Sequence, residues 1–69
     1  MKLSHYARTI VALTACTLDE ARHAEGYMRL TYGTLDGLGK AFEQEAMRAL
    51  VDAREDPELA ESNARSYGL

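Results

Sequence analysis

Apolar positions recur with a helical period over most of this chain, and one stretch carries them on two sides. From Thr34 to Glu55, projected at about 100° per residue, Leu35, Leu38, Phe42, Ala46, Ala49, Leu50 and Ala53 share one broad face. Met47 and Val51 form a smaller apolar pair on the opposite side. A helix that is apolar on two sides needs two partners. In a chain of 69 residues little sequence remains to supply both, which points to a domain that completes itself against another protein chain.

Caps and breakers set the remaining elements. Ser4 can cap a first helix from His5 to about Ala15, in which Tyr6, Ile10 and Leu13 recur at helical spacing beside Ala7 and Val11. The β-branched Thr9, Ile10, Val11 and Thr14 suit a strand as well, and only the missing two-residue alternation favours helix. Thr17 and Glu20 form a capping box, so Leu18 to Glu25 is expected to be helical, with Gly26 as terminator. Beyond it, Met28, Leu30 and Tyr32 alternate with Tyr27, Arg29 and Thr31, as in an amphipathic strand. Two such strands around the capped helix would make a β-α-β unit, so an α+β fold stands as the alternative to a mostly α domain of three to four helices around one long helix.

Gly33 punctuates and Thr34 can cap the long helix; Gly37 and Gly39 within it would either admit a neighbouring backbone or merely loosen its first turns. Pro57 ends that helix, because it disfavours the α conformation at Asp56. Asp56 as cap and Pro57 at the first helical position open a final helix to about Ser66, with Gly68 beyond its end. Without repeat, low-complexity tract or linker, residues 1-69 read as a single domain.

Size and composition narrow the function classes. A domain this small buries only about 60% of the surface of its unfolded chain, so its own core is marginal without disulfides, metal or oligomerisation. The single cysteine, Cys16, cannot form an internal bridge and reads as a small packing residue in a reducing compartment. No secretion signal is evident in Met1-Lys2-Leu3-Ser4-His5, and no apolar run is long enough to span a membrane. The expected setting is therefore soluble and cytoplasmic. A net charge of −3 is concentrated in the C-terminal half, where Asp36, Glu43, Glu45, Asp52, Glu55, Asp56, Glu58 and Glu61 outnumber Lys40, Arg48, Arg54 and Arg65. Such a surface repels a phosphate backbone and disfavours direct nucleic-acid binding; it suits a solvated face, a basic patch on a partner protein, or mimicry of nucleic acid.

Candidate chemistry is sparse. Glu20 and His23 stand one helical turn apart, the spacing used in carboxylate-bridged metal bundles, and a dimer could present two such pairs. Glu20 already has a capping role, however, and a histidine beside acids is commonly a surface residue. Neither His5 nor His23 is tied to Cys16 as a base, and no phosphate-cradling loop or Cys-x-x-Cys pair is present, so no enzyme or cofactor is expected. Two helices joined by a short connection also admit a helix-turn-helix reader, but Leu35, Asp36, Gly37 and Leu38 lack the base-reading side chains expected there.

Interaction remains. Tyrosine, methionine and arginine are enriched at protein interfaces, and Met28, Arg29, Tyr32, Met47, Arg48, Val51 and Tyr67 lie off the main helical face. The sequence thus suggests a homodimeric, stoichiometric regulator or inhibitor of another protein. Its arginine- and alanine-rich composition suits a GC-rich bacterial or phage genome, and small proteins of this class are common among phage and mobile-element accessories.

Overall fold

The computed structural model describes residues 3–69. Met1 and Lys2, the start of the segment read above for a secretion signal, lie outside the described residues. Four α-helices follow in order: α1 (His5–Thr14), α2 (Leu18–Tyr32), α3 (Phe42–Glu55) and α4 (Pro57–Ser66), with a 3-10 segment at Asp36–Ala41 ahead of α3. No strand occurs among the described residues, so the α+β alternative is excluded and the domain is mostly α.

Local signals account for most helix boundaries. Extended backbone at Ser4 lets its hydroxyl accept the Ala7 N–H at 3.1 Å, which starts α1. The β-branched threonines of α1 are accommodated because Thr9 and Thr14 donate their hydroxyls to the His5 and Ile10 carbonyls. At the start of α2 both halves of the capping box form: the Thr17 hydroxyl accepts the Glu20 N–H at 3.1 Å, and the Glu20 carboxylate accepts the Thr17 N–H at 3.0 Å. Asp56 caps α4 by accepting the Leu59 N–H, and Pro57 occupies its first turn.

Two helices differ from the sequence expectation. Gly26 does not end α2, which continues to Tyr32. Its missing side chain instead lets α4 come close, for a Cβ there would lie 3.2 Å from the Ala64 Cα. The alternation of Met28, Leu30 and Tyr32 is therefore not a strand pattern: Met28 is buried with Ala21 and Ala24 at helical spacing, while Leu30 and Tyr32 are exposed. The long helix expected from Thr34 is also shorter. Gly39, at φ 52° and ψ −124°, interrupts helical backbone, and α3 begins only at Phe42, with no side-chain cap. Nothing approaches the Cβ position of Gly37 or Gly39 within 4 Å, so neither glycine serves helix–helix contact within the chain.

The core forms where α1, α2 and α3 meet, from Ile10, Met28, Leu35 and Leu50 with a set of alanines, and Tyr6, Val11, Cys16, Leu38 and Phe42 pack at its edge. The main face read for residues 35–53 is the one that turns inward, with Leu35, Ala46, Ala49, Leu50 and Ala53 buried. The organising element, however, is α2 rather than residues 34–55, because α2 alone packs extensively on α1, α3 and α4.

Candidate functional site

With Ala46, Ala49, Leu50 and Ala53 turned into the core, the period of α3 sends Met47 and Val51 outward. They are 54% and 55% exposed, so the second apolar side stays open to solvent among the described residues. The adjacent Arg48 and Asp52 are also exposed. Around the helix from this pair, a shallow cleft of about 220 Å³ between α2 and α3 is lined by Tyr27, Thr31, Tyr32, Glu45, Arg48 and Asp52. The Tyr32 hydroxyl donates to the Glu45 carboxylate at 2.5 Å, and that hydrogen bond pushes the phenol pKa up. Tyr32 and Arg48 are thereby brought to one groove beside Met47 and Val51.

The other expected interface residues are placed differently. Met28 is only 2% exposed and belongs to the core, because residue 28 falls on the inward stripe of α2 once the helix runs through Gly26. Arg29 is half-buried and occupied: its Nε donates to Glu25 at 2.8 Å, and its guanidinium lies 5.5 Å from the Tyr6 ring centroid. Tyr67 is exposed, but it caps the end of α4.

The Glu20–His23 pair is divided between two partners. Glu20 accepts from Arg54 Nε at 2.6 Å, and this bond with the capping N–H holds its carboxyl down at about 2. His23 Nε2 lies 2.8 Å from Glu61. No group of three or more metal-donor side chains converges among the described residues. Cys16 is partly buried at the core edge, as its packing role requires. The first turn of α3 carries Glu43 and Glu45, which would meet phosphate with like charge if this helix entered a groove. No described helix is long and apolar enough to cross a membrane.

Two buried charges on α2 escaped the sequence reading. Glu25 is fully buried and accepts hydrogen bonds from the Ser4 hydroxyl and Arg29. Arg22, 8% exposed, grips Glu61 with two nitrogens at 3.1 Å and donates to the Leu69 carbonyl at 2.7 Å. Only half of this signal was available: position 25 adjoins the stripe defined by Ala21, Ala24 and Met28, with Arg29 one turn beyond it, whereas position 22 lies off that stripe on the side where α4 docks. Both residues also line a cleft of about 450 Å³ beside the start of α1. The Arg22 Nε has no partner among the described residues but is itself buried, so it presents no exposed guanidinium edge to the cleft.

Comparison with protein-family models, with curated proteins and with solved structures returns no match.

Proposed function

We propose that this chain is a stoichiometric protein-binding module, a regulator or inhibitor that captures another protein through the outward side of α3 and associates with itself as a homodimer. One observation carries the reading: Met47 and Val51 stand uncovered on a helix whose other side is already committed to the core. Full burial of a methionine or valine is worth about 1.5–3 kcal/mol, and with Met47 and Val51 54% and 55% exposed a docked partner would recover roughly half of that from each. Neighbouring Tyr32 and Arg48 add the residue types favoured at interface centres. The acidic C-terminal half gives the module a charge that steers it towards a basic partner. A phage or mobile-element accessory role is consistent with size and composition.

Val51→Glu tests the assignment. The position is exposed, so helicity and melting temperature should hold, while capture of the partner from the native host should fall at least tenfold, the loss expected for one buried aliphatic contact replaced by a charge. Undiminished capture by a normally folded variant would remove α3 from the interface.

A further inference from the structure

α4 is held by contacts of a different kind from those that join α1, α2 and α3. No residue of α4 belongs to the central hydrophobic cluster. Its buried side chains are only Ala60 and Ala64, and α4 approaches α2 where Gly26 has no side chain. Polar groups complete the seat: the Glu61 carboxylate gathers Arg22, His23 and Arg65, and Arg22 also holds the Leu69 carbonyl. Most contacts of α4 fall on α2, remote in sequence, and few on α3, its neighbour in the chain.

The connection is equally distinctive. A single residue, Asp56, at φ −143° and ψ 82°, separates Glu55 of α3 from Pro57 of α4. Pro57 lacks an N–H and fixes its own φ, so reorientation between the two helices concentrates at Asp56. Rotation there would carry α4 off α2 without removing any residue from the central cluster that α1, α2 and α3 form. The Asp56 cap on Leu59 travels with the helix. What α4 leaves behind is a seat of matching shape and charge, identical on every copy of the chain.

We infer that α4 is an exchangeable arm: two copies of this chain swap it, each seating Ala60, Ala64 and Glu61 on the Gly26, Arg22 and His23 of the other. A short hinge and an element whose contacts are mostly remote in sequence are the conditions under which exchange loses little, because the same interactions reform between chains. This surface is separate from the outward side of α3, and the inference does not depend on the function proposed above.

The test uses the full chain, unfolded and refolded at high concentration from an equal mixture of isotopically labelled and unlabelled protein. Size-exclusion chromatography with light scattering isolates any species of twice the monomer mass. Isotope-filtered nuclear Overhauser spectra of that species then report whether the Gly26–Ala64 contact runs between chains. The swap predicts a dimer with this contact intermolecular, and the same dimer from Val51→Glu. A chain that stays monomeric after refolding overturns the inference. So does a dimer whose Gly26–Ala64 contact remains within one chain, or one that Val51→Glu abolishes, since the copies would then meet through α3.

Discussion

Enlarging Gly26 sets two effects of known size against each other. At an ordinary mid-helix site, alanine is worth about 1 kcal/mol more than glycine. Here the added Cβ would lie 3.0 Å from Asn63 Nδ2, 3.2 Å from the Ala64 Cα and 3.4 Å from the Ala64 N. The asparagine amide can swing aside at little cost, because its Nδ2 makes no hydrogen bond. The Ala64 backbone moves only with the whole of α4. Overpacking of this type costs ~1–3 kcal/mol, so Gly26→Ala should lie between neutral and a loss of about 2 kcal/mol, despite its better helix propensity. Gly26→Val places further methyls against the same backbone and should lose about 3 kcal/mol. For a domain of this size each kcal/mol moves the melting temperature by roughly 4–8 °C. Thermal and urea denaturation followed by far-UV circular dichroism measures both variants. Gly37→Ala, at a site with open space around it, is the control and should not destabilise. A Gly26→Val protein as stable as the parent would refute the close approach of α4.

Three further expectations concern other links. Met28→Ala should lose about 2–5 kcal/mol in urea titration, as a buried methionine truncation does, whereas a loss of a few tenths would return Met28 to the surface. Thr17→Ala removes one half of the α2 capping box and should lose about 1 kcal/mol, a difference visible in the urea midpoint. Acid should weaken the fold in a defined window. Arg22, His23 and Arg65 hold Glu61 down at about 2, and Arg54 with the Thr17 N–H does the same for Glu20, against an ordinary value of 4.5. Because both folded-state values are depressed, their contribution is complete above the ordinary range and drains away as pH falls from 4.5 towards 2. Melting temperature against pH should show that decline, and Glu61→Gln should flatten it; an unchanged slope would mean Glu61 is not engaged.

Local chemistry was legible in the sequence wherever one residue acts on its near neighbours. Ser4, Thr17 with Glu20, and Asp56 with Pro57 start α1, α2 and α4 where the pattern places them, because a cap needs only backbone two or three residues away. Gly26 misleads for the opposite reason: what makes a glycine useful there is Ala64, 38 positions later in the chain, and no local rule sees it. The same error displaced Met28, whose inward position follows only if α2 continues past Gly26. Gly39 turned out to break helical backbone rather than to make room for a neighbour. Periodicity alone could not distinguish these, since Leu38 and Phe42 keep a one-turn spacing across the break at Gly39. At the candidate site, Met47 and Val51 were readable from period, while the Tyr32–Glu45 contact needed the packing angle of α2 on α3.

The outward side of α3 is open in the isolated chain and, on the proposed function, covered in its complex. Peroxide oxidation of the methionines, resolved residue by residue by mass spectrometry, addresses both halves, because Met47 and Met28 differ so widely in exposure. In dilute pure protein Met47 should oxidise readily and Met28 slowly; after capture on the partner, Met47 should become protected while Met28 is unchanged. A Met47 already protected in the dilute monomer, or one equally reactive in the complex, would contradict it.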